Sequence, residues 1–342
     1  MILLQRQAMD TLDDLKQALQ KAIVLELSTL PPYLYAAFTI RNGTNEAARL
    51  RIDSIIREEM VHMGLACNVL NAIGGAPVLA DVFVVPTYPG PLPYSIGTTA
   101  GDPFLVSLLP FSPGAMDQAM KIEEPEDPLH FPEAAELSEP TYQTIGQFYD
   151  ALDKALGQLP AVAWSTTPRN QLTDHPFFAG ELFPVAGCKA ASRAIQRIMS
   201  EGEGNTKSPL NFNGELAHYY RFQEIRRNQV LQKDSSVVPG GFSWGDPLGV
   251  DWLEVVPAIA NPGTHDFSDD PPAQAAQDEC DRAFTVMLQE IQWAVNGQPG
   301  RLGNAVQAMF DLRLAARTAL ATPLADSKHS AGPAFRFRTD LI

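Results

Sequence analysis

Two Glu-x-x-His motifs stand in this chain, Glu59 with His62 and Glu215 with His218, and they are the only two. Residues i and i+3 share one face of a helix, so each pair can present an oxygen and a nitrogen to the same ion. Glu26 adds a carboxylate from another segment. It falls four residues after Ala22 and seven after Leu19, on an apolar stripe. Glu201 and Glu203 end a further helical stretch, and periodicity does not choose between them as the fourth carboxylate. Two Glu-x-x-His helices with one Glu from each of two others form the donor set of the di-iron and di-manganese carboxylate bundles.

One such motif would carry little weight, since chance supplies about 0.3 in a chain of this composition. A lone buried histidine is more often a hydrogen-bonded core residue than a ligand. Three carboxylates and two imidazoles that all intrude into apolar stripes are a different matter. They cannot neutralise one another, and unpaired buried charge is costly. Other polar residues read as ordinary. Glu58 points away from the stripe of its neighbour Glu59. Glu224 is out of phase with Glu215 and should pair with Arg221 or Arg227 on a solvated face. Tyr33, Tyr35, Tyr219 and Tyr220 read as core aromatics with satisfied hydroxyls, and His130, His175, His265 and His329 lie in loops or the tail.

Four helices must position the donors. Apolar spacing of three and four predicts a helix over 11–41, with a kink or restart at Pro31-Pro32 that frees the carbonyls near Leu27 and Ser28. A second runs from about Asn45 to Ile73, where Gly74-Gly75 stops it. The short link between them makes residues 1–75 an antiparallel hairpin. Residues 187–200 and a helix starting near Asn213 and running to Gln232 predict a second hairpin over 185–235. Each hairpin then brings its own Glu level with its own Glu-x-x-His. Between them, 76–184 forms a long crossover. Twelve of the 28 prolines lie between Pro77 and Pro140, so that stretch is extended or irregular, with short helices at Pro113–Ile122 and Thr144–Gly157. Residues 236–342 form a C-terminal extension, loop-rich over Val237–Pro272, with helices near Ala275–Asn296 and Leu302–Leu320. The expected fold is all-α, one domain over 1–342 built on a four-helix bundle.

Composition narrows the function classes. The chain has 342 residues, 45% of them hydrophobic, and a formal net charge of -15. Attraction to nucleic acid or anionic membranes is therefore disfavoured. No stretch reads as a signal peptide or a membrane span. Cys67, Cys188 and Cys280 are odd in number and widely spaced, which excludes a disulfide framework and fits a cytoplasmic protein.

The stretches ELSTLPPYLYAAFTI, EEMVHM, PTYPGPLPYSIG, TIGQFYDAL, EGEGN, ELAHYYRFQEI and VVPAIANP together resemble the ferritin-like family named for the iminophenyl-pyruvate dimer synthases, and the likeness covers most of the chain. Those enzymes act in bisindole pigment and antibiotic pathways and are much longer, so this chain corresponds to their ferritin-like part. The resemblance implies a ferritin-like fold and a di-iron site carried by Glu26, Glu59, His62, Glu203, Glu215 and His218. It favours Glu203 over Glu201 because Gly202-Glu203-Gly204 matches the family's Gly-Glu-Gly.

The expected function is that of a non-haem oxidoreductase: two Fe ions, with Mn as the alternative, use O2 as co-substrate to oxidise a small organic molecule, an amino-acid-derived one if the resemblance extends to substrate. The long crossover favours this reading, because a bare bundle needs no such cover and a substrate pocket does. A ferroxidase or iron-handling protein, and a non-enzymatic module, are the alternatives. A small-molecule substrate is the expected partner, nucleic acid and membrane are not, and homo-oligomerisation is left open.

Overall fold

Helix α1 (Leu12–Thr39) opens on a capping box in which Thr11 and Asp14 satisfy each other's backbone N–H groups. It continues through Pro31 and Pro32, where a kink or restart was expected, and does not restart there. Proline at 32 still removes the hydrogen bond that the Ser28 carbonyl would accept. The hydroxyl of Tyr88, from the crossover, donates to that carbonyl instead, at 2.8 Å. A tertiary contact thus replaces the missing local one. In a computed structural model of the chain, residues 9–98, 103–125, 144–165, 167, 169–173, 175–202, 204, 208–237, 241–325 and 328–342 are described.

Helix α2 (Glu46–Ala72) packs along α1 as a hairpin. Beyond it the chain forms a minimal antiparallel pair, β1 (Gly90–Pro91) with β2 (Leu105–Val106), and then α3 (Pro113–Ile122), capped by Ser112. Helices α4 (Ile145–Gly157) and α5 (Cys188–Gly202) follow, and then α6, which is confined to His218–Arg227. Helix α5 packs mainly on α4 and α2, and α6 on α3 and α2. The two meet each other only slightly, so the crossover helices α3 and α4 supply partners that the expected second hairpin would have found within itself.

Helix α6 is shorter than its periodicity suggests, at both ends. Upstream, Asn211 accepts from the Glu215 backbone and donates to the Glu215 carbonyl, at 3.0 and 2.8 Å, and Gly214 has φ +81°. This holds 211–216 as a tight turn. Downstream, Asn228 adopts the left-handed region at φ +54° and ends the helix. The chain then continues as β3 (Gln229–Lys233), paired antiparallel with β4 (Phe242–Pro247), where helix and loop were expected.

Helices α7 (Pro271–Val295) and α8 (Leu302–Ala321) pair and lie against the face of α1 and α2 that carries Leu27, Leu30, Met60 and Met63. One continuous apolar core includes residues from all eight helices. Cys67, Cys188 and Cys280 are free thiols. Among the described residues, no helix is long and apolar enough to cross a membrane.

Candidate metal centre

Five side chains converge between α1, α2, α3 and α6. Glu26 comes from α1, Glu59 and His62 from one face of α2, Glu123 from the residue that caps α3, and His218 from the first position of α6. One ligand atom from each of Glu26, Glu59 and His62 lies within 4.8 Å of the others, and the same holds for Glu59, Glu123 and His218. Glu59 belongs to both groups. All five are buried, His218 at 0% exposure and the most exposed, Glu123, at 5%.

The outward nitrogens of the two histidines are held alike. His62 Nε2 lies 2.8 Å from Glu201 Oε2, and Glu201 Oε1 lies 3.0 Å from Arg197. His218 Nε2 lies 2.9 Å from Glu58 Oε2, and Arg221 grips both oxygens of Glu58 at 2.8 and 2.9 Å. Burial pushes Glu58 upward, but hydrogen bonds from His218 and Arg221 outweigh it and hold the group at about 2. Burial likewise acts on Glu201, and the His62 hydrogen bond and Arg197 charge prevail to lower it. Both carboxylates are therefore ionised acceptors, and each Nε2 must be the donor. With Nε2 so held, each Nδ1 faces inward toward Glu59.

The inner carboxylates are not equivalent. Burial, reinforced by the neighbouring Glu59 charge, pushes Glu26 up to about 7. Glu123 is raised for the same two reasons. Glu59 is lowered, because the His218 and His62 imidazoles that face it outweigh its burial. Three hydroxyls hold this layer. Tyr33 donates to Glu123 Oε1 at 2.5 Å, Tyr149 donates to Glu26 Oε1, and Thr29 lies 2.6 Å from Glu59 Oε2. The imidazole rings stack with centroids 5.5 Å apart.

The donor set fits divalent cations on an observation internal to the site. His218 Nδ1 is buried and makes no hydrogen bond, although Glu59 Oε1 is only 2.9 Å away. Distance allows a bond and direction does not. A buried orphan of this kind calls for a partner, and a cation bound by nitrogen and oxygen supplies one.

Of the residues singled out by sequence, Glu26, Glu59, His62 and His218 meet here. Glu203 lies outside the described residues. Glu201 sits behind His62 as its hydrogen-bond partner. Glu215 is not at the site: it is exposed in the 211–216 turn, its carboxylate 3.4 Å from the Asn211 amide. The i and i+3 relation to His218 requires helix at both residues, and α6 begins only at His218. Glu123 takes the place expected of a further carboxylate. Its signal was present, for it falls four after Ala119 and seven after Met116 on the buried stripe of α3. Glu58, off the stripe of Glu59, is buried behind His218, and Glu224 is buried against Arg51 at 2.5 Å rather than on a solvated face. Tyr33 and Tyr149 are core aromatics whose hydroxyls donate to the carboxylates of Glu123 and Glu26.

A family model described as Ferritin-like matches residues 19–227, a span that contains all five converging residues. Dichlorochromopyrrolate synthase of Lentzea aerocolonigenes is 23% identical, over 95% of this chain and 36% of that protein, so the chain spans about a third of its relative's length. The crystal structure of a ferritin like protein from Caulobacter vibrioides superposes with a TM-score of 0.61 at 23% identity, covering 89% of this chain and 96% of that one, and shows the same fold.

Proposed function

The chain belongs to the ferritin-like family, and from that premise we propose that Glu26, Glu59, His62, Glu123 and His218 hold two metal ions in an oxidoreductase acting on a small organic molecule. The observation that carries the reading is the buried, unbonded His218 Nδ1 beside Glu59, the carboxylate common to both donor groups. Two nitrogens and three carboxylates suit iron, with manganese as the alternative. Two ferrous ions, when bound, supply the electrons with which O2 is reduced.

The chain's own residues set the conditions for that chemistry. Glu59 would be shared by the two ions, with Glu26 and His62 holding one and Glu123 and His218 the other. Glu201 and Glu58 keep each imidazole in the tautomer that presents Nδ1, and Arg197 and Arg221 hold those carboxylates in register. Tyr149 and Tyr33, neutral because burial raises both hydroxyls well above their usual range, orient the terminal carboxylates and keep a proton next to each. The buried setting excludes bulk water. Likeness to a dichlorochromopyrrolate synthase supports a biosynthetic substrate.

The test is reconstitution of purified protein with Fe(II), counting ions per chain and following O2 uptake with excess reductant. About two ions per chain and sustained O2 uptake above free Fe(II) are expected. Metal-dependent folding without O2 uptake would overturn the oxidase reading.

A further inference from the structure

On the outer side of α5 lies a cleft of about 380 Å³, within the usual range for small-ligand sites. Lys189, Arg193 and Arg197 line it at intervals of four along one helix face, with Phe212 and Asn213 opposite and Glu201 among the lining residues. Such a row is unexpected in a chain of charge -15. Nearby acids are already engaged: Glu181 pairs with Arg57 at 2.7 Å and Arg197 at 3.2 Å, and Asp153 accepts from Ser192 and Gln196. Lys189 and Arg193 are exposed and form no ion pair among the described residues. Arg193 is braced over the Phe183 ring at 4.5 Å. Phe212 is 67% exposed, an apolar surface facing a cationic row.

We propose that this cleft binds a small molecule carrying a carboxylate on an apolar body, and that its occupancy is felt at His62. The guanidinium fork matches a planar carboxylate, the exposed ring matches an apolar body, and the volume far exceeds that of a bare oxyanion. Arg197 connects the cleft to the interior: it lines the cleft and also holds Glu201, whose other oxygen accepts from His62. An anion that draws on Arg197 loosens its grip on Glu201 and strengthens what Glu201 offers His62. This second half rests on the metal reading above; binding in the cleft does not.

The experiment titrates benzoate, acetate and inorganic phosphate into the metal-free protein by calorimetry, with Lys189→Gln/Arg193→Gln and Phe212→Ser beside the parent. Saturable benzoate binding is expected. The double variant should weaken it about tenfold or more, with helicity unchanged, and Phe212→Ser should erase the preference over acetate. No saturable binding, an unaffected double variant, or phosphate binding as tightly as benzoate overturns the site. The benzoate titration is then repeated on Co(II)-loaded protein. Because coupling is reciprocal, affinity should differ between the loaded and metal-free forms. Equal affinities overturn the coupling, whereas failure to load Co(II) at all counts against the metal reading alone.

Discussion

His218 Nδ1 and Glu59 Oε1 lie 2.9 Å apart, both buried, without a hydrogen bond between them. His62 Nδ1 faces the same oxygen at 3.5 Å. Glu59 is therefore the pivot of the site, and the residues that complete each end can be told apart by substitution.

Glu123→Ala should remove one end and leave about one ion per chain, whereas Glu215→Ala should retain the parent's content. Metal analysis of both variants beside circular dichroism decides this. Equal metal loss in the two would restore the Glu-x-x-His reading of the fourth helix and remove Glu123 from the site.

His62→Ala and His218→Ala should each lower iron occupancy sharply while the fold survives, since each imidazole is the only nitrogen at its end. Glu58→Gln and Glu201→Gln, which change only the partner behind a histidine, should weaken metal affinity by roughly 10- to 100-fold. Chelator competition reads both effects. A histidine variant that keeps two ions marks that histidine as a core residue.

Metal binding should release protons. Burial alone would lower both imidazoles, but the surrounding carboxylates outweigh it and raise His62 and His218 well above the ordinary 6.5. A group raised on folding stabilises the metal-free protein below its unfolded value, and that contribution is lost as pH rises through the folded one. Apo stability should therefore decline with rising pH above about 6.5, while metal affinity increases as Nδ1 gives up its proton. Calorimetry in buffers of different ionisation enthalpy measures the release. Affinity that falls between pH 6 and pH 8 would contradict the assignment of Nδ1 as ligand.

Tyr88→Phe should destabilise the protein by about 1–2 kcal/mol by orphaning the Ser28 carbonyl. Urea unfolding of the variant gives the value. A change within error of zero would mean that the carbonyl finds another partner.

Local features were legible in the sequence where local spacing decides them. The stripes through Leu15, Leu19 and Ala22, and through Ile52, Ile55 and Ile56, require helices with those faces buried, and they place Glu26, Glu59 and His62 on the inner side. Pro113 and Ile122 bound α3 as expected, because a Ser-Pro start and a periodic stripe are read within one helix. What tertiary structure decided was which distant groups meet. Asn211 and Gly214 build a turn that delays α6 to His218 and leaves Glu215 outside, and the packing of α3 on α6 carries Glu123 inward. Glu58, one residue from Glu59 and so on a different side of α2, became useful only because α6 brings His218 and Arg221 across it. Periodicity states which face of a helix is buried; only the packing of other helices against that face states what the buried groups will touch.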